Sequence, residues 1–346
     1  MIRVIDESLW LTADLLTHGG NFHADDVFST VFEDCILCDD DKEDVFVCRT
    51  RDENIIKEAM KNLVVVYDVG GEYDAEAIHF DHHQKGFDER RANGIKYASA
   101  GLIWRHYGVL IAKKCMEGIV LSEKSWENVA KTVDRELIEG IDAFDNGEIQ
   151  NGAIMSVPKM IQLFNPTPME IERALDGGRW LRDYAFEQAC NEARRCLERT
   201  VESAVSAELE RHEIITALCE VPKGQCYLPL KRELSSWVST ILELSAQEED
   251  PFLKKLAAGL SFVVFPKSED EWCVQAIPPS TDNLFGQRES FPESWRGLRG
   301  EQFADEAGVE GAFFCHPAGF FAKADTKECA EALAVKAHEL NSQVKV

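Results

Sequence analysis

No stretch of the chain approaches 18 consecutive apolar residues, so nothing in it reads as a transmembrane span. The opening segment, Met1 to Trp10, holds one basic residue beside Asp6 and Glu7. That is wrong for a secretory signal and for an Arg-rich transit peptide, so an intracellular location, cytoplasm or nucleus, is expected. Positive charge is scarce. Lys and Arg number 37 against 62 Asp and Glu, a formal net charge of −25. Such a chain does not hold nucleic acid through a bulk basic face. A polyanionic substrate would need a local inversion of sign, which bound divalent cations provide. A second cysteine pair with zinc spacing is also missing: of 11 cysteines, only Cys35 and Cys38 form a CxxC. Those two are expected on the apolar side of a helix end, and the odd count favours reduced thiols.

A length of 346 residues suggests two domains. Over roughly the first 110 residues, β-type apolar runs alternate with helical stretches. Leu15 to Thr17, Val45 to Cys48, Leu63 to Tyr67 and Ile78 to Phe80 read as strands. Ala24 to Ile36, Asn54 to Asn62, Ala98 to Tyr107 and Trp126 to Phe144 read as helices. The run LVVVY at 63–67 has the pattern of a strand covered on both faces. The alternation predicts an α/β fold with a largely parallel sheet flanked by helices. Asn165-Pro166-Thr167-Pro168 breaks it, and a long connecting helix is expected from about Trp180 to Arg211. Ile214 to Cys219, Ser261 to Pro266 and Trp272 to Ile277 read as strands of a smaller C-terminal α+β domain, with a loop-like stretch over Pro278 to Gly300 and a final helix over Thr326 to Asn341. The expected division is 1–165 catalytic, 166–211 helical linker and 212–346 substrate-binding. The run Asp39-Asp40-Asp41 is the one acidic low-complexity loop.

Five of nine histidines fall in the first 83 residues, in two clusters. One is Thr17-His18-Gly19-Gly20-Asn21-Phe22-His23-Ala24-Asp25-Asp26. The other is Phe80-Asp81-His82-His83-Gln84. Each follows an expected strand, and Asp68 follows LVVVY in the same way. In open α/β sheets ligands gather beyond the carboxyl ends of strands. Asp142 and Asp145 offer a further carboxylate from a helix end. Imidazole plus carboxylate, without thiolate, suits Mn²⁺, Zn²⁺, Fe²⁺ or Co²⁺. Two ions need a bridging carboxylate, and Asp68 is the candidate. Paired ions supply an activated water, a hold on the scissile phosphate and compensation of charge on the leaving oxygen. A lone His79 or His106 is ordinarily a satisfied polar group, and His212, His316 and His338 have no ligand spacing.

On these residues the sequence resembles the DHH phosphoesterase superfamily, and within it the melanocyte-proliferating-gene-product family of DHH-like exonucleases. The similarity runs through THGGNFHADD (17–26), CRTRD (48–52), VYDVGGEYD (66–74), FDHHQKGF (80–87), SAGLIW (99–104), DAFDNG (142–147), SWRGLRG (294–300) and HPAGF (316–320). The resemblance implies an N-terminal DHH-type domain, a centre of two Mn²⁺ (with Zn²⁺, Co²⁺ or Mg²⁺ as substitutes) and 3′–5′ RNA exonuclease activity. It implies metal ligands at His18, His23, Asp25, Asp68, His82 and Asp145, a phosphate contact at His83 and an orienting role for Asp81. Arg288, Arg296, Arg299 and His316 become candidates for substrate contact in the C-terminal domain, with Lys323 behind them. Nuclear and mitochondrial locations both occur among relatives. Three departures stand out. His23 sits where the superfamily's D-x-D motif has its first aspartate, Pro229-Leu230-Lys231 replaces a Pro-Trp-Lys pattern, and Phe321-Ala322-Lys323 lacks glycines common in relatives.

The leading expectation is thus a metal-dependent phosphodiester hydrolase acting on RNA or short oligonucleotides, with no membrane partner and the long helix as a surface for homodimerisation. One alternative keeps the site and changes the substrate to a small phosphoanhydride or dinucleotide. Another is a metal-loaded interaction protein without turnover.

Overall fold

The structure, a computed structural model, describes residues 1–38, 42–62, 64–148, 155–174, 176–246 and 250–344. The expected acidic loop at 39–41 and Leu63 of the LVVVY run lie outside them. Among the described residues, twelve α-helices and two mixed sheets make an α/β protein that is roughly half helical. The chain divides into two compact units, Met1–Val205 and Ser206–Val346.

In the first unit, β1 (Ile2–Ile5), β2 (Leu15–His18), β3 (Val45–Thr50), β4 (Val65–Tyr67), β5 (Tyr73–Asp74) and β6 (His79–Phe80) form one sheet in the order β1-β3-β2-β4-β6-β5. All neighbours pair in parallel except β5, which runs antiparallel at the edge. Strand periodicity explains how the sheet is buried. Leu15, Val47 and Val65 face one side, against α1 (Ala24–Leu37). Their neighbours Leu16, Cys48 and Val66 face the other, against α2 (Glu53–Ala59). α3 (Ser99–Cys115), α4 (Glu123–Val133) and α5 (Glu139–Asp145) complete the first face, with α6 (Val157–Gln162) and α7 (Pro168–Arg173) after them.

The helix starts follow capping chemistry. Asp52 accepts from the N–H groups of Asn54 and Ile55 at the start of α2. Thr167 and Glu170 form a capping box with Pro168 at the first turn of α7. The single helix expected over Trp126 to Phe144 is instead interrupted by a π-helical turn, Asp134–Ile138. α8 (Arg179–Glu220) carries the chain from the first unit into the second, and Phe186, Leu197 and Val201 lie in the first unit's core.

The second unit holds β7 (Tyr227–Pro229), α9 (Trp237–Ala246), α10 (Pro251–Ala258), β8 (Phe262–Ser268), β9 (Glu271–Ala276), α11 (Gly300–Ala307), β10 (Ala312–Cys315), β11 (Phe321–Ala324) and α12 (Lys327–Val344). Its sheet runs β10-β11-β9-β8-β7, antiparallel except for the β7–β8 pair. One sequence expectation is corrected here. Ile214 to Cys219 is not a strand but the last part of α8, with Ile214 and Leu218 buried one turn apart on the same face.

Candidate metal centre

β2, β4 and β6 are adjacent and parallel, so their carboxyl ends open on one edge of the sheet. His18 is the last residue of β2, Asp68 follows β4, and Asp81-His82-His83 follow β6. Asp68 adopts a left-handed backbone (φ 54°) that a non-glycine residue enters at a cost, with Asp among the more tolerant types. Gly70 and Gly71, both at positive φ, complete the turn (105° and 70°). α1 brings two further carboxylates. His23 caps it, and its N–H donates to Asp26 Oδ1 (2.7 Å). Asp25 accepts from the N–H groups of Ser99 (3.1 Å) and Ala100 (2.6 Å), so this one side chain also fixes the start of α3.

These residues sort into groups whose donor atoms lie within 4.8 Å of one another: His18, His23 and Asp68; Asp25, His82 and Asp145; and Asp68, His82 and His83. Asp68 belongs to two of the three. Its Oδ2 is 3.3 Å from His18 Nε2 and its Oδ1 is 3.6 Å from His82 Nε2. His82 Nε2 is also 3.2 Å from Asp145 and 3.7 Å from Asp25. Yet His82 Nε2 and Asp26 Oδ2 are buried with no aligned hydrogen bond. Buried polar atoms are ordinarily paired, and the exceptions point to a missing ion or water. An all-imidazole and carboxylate donor set fits divalent cations.

The electrostatics agree. Burial alone would lower His18, but Asp26 and Asp68 outweigh it and carry the imidazole up to about 9. His82 likewise rises to about 11 against its burial, through Asp145, Asp68 and Asp25. Burial raises Asp25 well above the carboxylate range, reinforced by the like charges of Asp68 and Asp145. Burial also raises Asp26. Burial would raise Asp68 too, but the His18 and His82 imidazoles hold it below the usual range. Too many acids share one pocket, and protons on two imidazoles supply the compensation that cations would supply.

His83 differs from His82. Its side chain is 60% exposed and lines a cavity of about 620 Å³ in front of the cluster. Asp81 Oδ2 accepts from Gly71 N–H (2.6 Å) while Oδ1 accepts from His83. These bonds outweigh the effect of burial and lower the Asp81 carboxyl. Asp142 is set apart from the cluster's metal groups. It pairs with Arg91 (2.5 Å) and accepts from Gly101 N–H (3.0 Å). Two residues at the site escaped the sequence reading. Asp26 lies 3.4 Å from His18 through its free oxygen, and Arg51 donates to Gly19 O (2.7 Å) beside the His18 ring. Cys35 and Cys38 lie apart, at the far end of α1, where Cys38 Sγ contacts Asp34.

Residues 14–338 match the model of a family described as an uncharacterised protein family (UPF0160), whose model name refers to a MYG1 exonuclease. The chain belongs to the MYG1 family. It is 27% identical to a MYG1 protein of Caenorhabditis elegans, covering 96% of this chain and 97% of the relative. It is 29% identical to a MYG1 protein of Dictyostelium discoideum, covering 93% and 95%. Identity with the human protein named MYG1 exonuclease is 26%, covering 92% of this chain and 84% of the relative. No solved structure matches.

The MYG1-like motifs of the second unit have varied surroundings. Arg288 is half-buried and spends its guanidinium on Ala257 O, Leu260 O and Ser245 Oγ (2.6, 2.9 and 2.8 Å), tying α9 and α10 to the loop. Arg296 donates to Phe291 O (3.1 Å) and lies against Gly319, where a Cβ would meet its Nε at 2.6 Å. Arg299 stands over the Phe314 ring, 5.0 Å from its centroid. His316 Nδ1 accepts from Ala318 N–H (3.1 Å) in the β10–β11 turn. Lys323 pairs with Glu271 (2.7 Å), and Trp295 is buried in the core. No helix among the described residues is long and apolar enough to cross a membrane.

Proposed function

We propose that the protein is a metal-dependent phosphodiester hydrolase of the DHH type, cleaving RNA or short oligonucleotides from the 3′ end. The carrying observation is the pair of donor groups at adjacent parallel strand ends, with Asp68 reaching toward both. The human and bovine relatives, each named MYG1 exonuclease, support the same class.

His18, His23 and Asp68 would hold one divalent ion, and Asp25, His82, Asp145 and Asp68 a second, with Mn²⁺ as the expected metal. Bound ions of this kind lower the pKa of water and offset charge on a phosphoryl group. The chain's own residues do the rest. Asp81 accepts from Nδ1–H of His83, which aims Nε2 into the cavity. When the ring is doubly protonated, Nε2–H would donate to a phosphate oxygen and could pass that proton to the departing oxygen, leaving the neutral ring on Asp81. Asp25 holds α3 against α1 and so keeps its own carboxylate aimed at His82. In the second unit, Arg296, Arg299 and His316 are the proposed strand contacts. Arg288 commits three of its five N–H donors to Ala257, Leu260 and Ser245, and its remaining two keep it among the proposed contacts.

The test is to strip the metal, restore Mn²⁺ and follow labelled RNA. Wild type should trim it one nucleotide at a time, and a His82→Ala, Asp68→Ala double variant should not. Equal slow trimming by both would sink the proposal. A second reading, hydrolysis of a dinucleotide or phosphoanhydride, is favoured by the −25 charge, which opposes a long polyanion. Phosphate release from pyrophosphate and dinucleotides separates the two. Two metal ions per chain with no turnover on any phosphoester would mark an interaction protein instead.

A further inference from the structure

Beside the candidate metal centre, and sharing Arg51 with its cavity, is a second cavity of about 280 Å³. Four guanidinium groups line it, those of Arg49, Arg51, Arg179 and Arg182, against two carboxylates, Glu7 and Asp183. The acids are already used. Glu7 pairs with Arg179 (3.1 Å) and accepts from Thr50 Oγ1 (2.9 Å), and Asp183 pairs with Arg49 (3.2 Å). Among the described residues no carboxylate pairs with Arg51 or Arg182, whose hydrogen bonds run to the carbonyls of Gly19 (2.7 Å) and Gly177 (2.9 Å). In a chain of net charge −25 this is a local reversal of sign.

A second observation points to an absent acceptor. Arg49 is almost fully buried, and its Nε–H has no hydrogen-bond partner. Its other nitrogens are held by Asp183 and by Gly20 O (2.9 Å), and its plane lies over Phe186, 4.3 Å from the ring centroid. A buried guanidinium N–H left unpaired costs free energy that a bound anion would recover. The first turns of α8 also carry an exposed aromatic pair. Trp180, 68% exposed, stacks on Tyr184 with centroids 5.5 Å apart and planes 8° apart. Such faces take nucleobases without regard to sequence.

We propose that this arginine pocket is a backbone-phosphate subsite for single-stranded nucleic acid, holding the phosphate next to the one at the metal centre. The inference rests on the nuclease reading above and names its substrate class. Arg51, at the junction, spans the two phosphates. Arg182 provides the uncompensated charge and Arg49 the buried donor. A strand with at least two consecutive phosphates engages both cavities, and a simple diester engages one.

The experiment uses the full chain loaded with Mn²⁺ and a labelled RNA hexanucleotide whose phosphorothioate linkages resist hydrolysis. Binding is followed by anisotropy across a salt series for wild type, Arg182→Ala and Arg182→Lys, with thermal melts to confirm folding. Losing one phosphate contact should lower the slope of log K against log salt by about 0.7 in Arg182→Ala, with affinity down about tenfold. Arg182→Lys should keep most of the slope. An unchanged slope and affinity in Arg182→Ala overturns the subsite. So does an equal loss for inorganic phosphate alone, which would mark a free-anion site. Hydrolysis of bis(p-nitrophenyl) phosphate, assayed in parallel, reads the metal centre separately. Absent hydrolysis with the salt effect intact fails the nuclease reading and keeps the subsite. Robust hydrolysis without the salt effect does the reverse.

Discussion

Asp81 and His83 are joined twice: Asp81 Oδ1 accepts from the backbone N–H of His83 (2.9 Å) and from its Nδ1–H (2.8 Å). The ring is therefore fixed in direction and in tautomer, although most of it stands in the open cavity. Asp81→Asn should keep the fold and the metal but lose this control. Hydrolysis should fall roughly 10–100-fold, the usual loss for a supporting hydrogen bond. Steady-state kinetics with metal content measured on the same samples checks this. An unchanged kcat would remove Asp81 from the mechanism.

His82→Ala takes away the imidazole that three carboxylates share. Mn²⁺ should stabilise wild type by about 2.7 kcal/mol at a hundredfold excess over Kd. The variant should show a much smaller gain and a lower ion count per chain. Urea melts with and without Mn²⁺, together with metal analysis, decide it.

Gly101→Ala should destabilise the first unit. A Cβ there would meet Asp142 Oδ2 at 1.8 Å and Cγ at 2.6 Å, within a buried pair with Arg91. Overpacking of this kind costs about 1–3 kcal/mol, and here a hydrogen bond to Asp142 is disturbed as well. Thermal melting of Gly101→Ala beside the control Gly140→Ala, a half-buried helical position whose Cβ meets nothing within 4 Å, would show it.

Glu33 gives a pH dependence. It is buried against α3 with one carboxylate oxygen unpartnered, and burial raises its carboxyl to about 8. Its folded pKa lies above its unfolded one, so the folded state binds the extra proton between them. The associated stability is complete below about 4.5 and is lost as pH rises through about 8. Glu33→Gln removes that loss. The difference in stability between variant and wild type should grow with pH, with a slope approaching about 1.4 kcal/mol per pH unit. Urea midpoints at pH 5, 6.5 and 8 test it, and parallel curves would refute it.

The strand ends were legible because two signals coincide there. Apolar runs mark β2, β4 and β6, and a chemically distinctive His or Asp follows each. Asp26 was missed because a capping-box acid after His23 has a sufficient local reason to be there, and sequence does not show its second oxygen facing His18. Arg51 sits in a motif whose strand was read correctly, but its proximity to the site comes from β3 pairing with β2, a non-local fact. Ile214 to Cys219 was misread because a short apolar run fits a buried strand or a helix face equally. Length decides such cases, and α8 extends through this run to Glu220. In the second unit β7, β10 and β11 span only three or four residues each, too few for periodicity to speak.

The left-handed backbone at Asp68 places two separate demands on one position. Glutamate would keep the charge but lose aspartate's ease in that conformation, and asparagine would keep the ease but lose the charge. Glycine would relax the turn and delete the ligand. Few single-residue replacements can satisfy both demands, so divergence in the surrounding turn should leave this residue untouched while its neighbours drift. A saturation library selected for activity would show that as a position with one tolerated side chain, and the same library selected only for folding would show at least three.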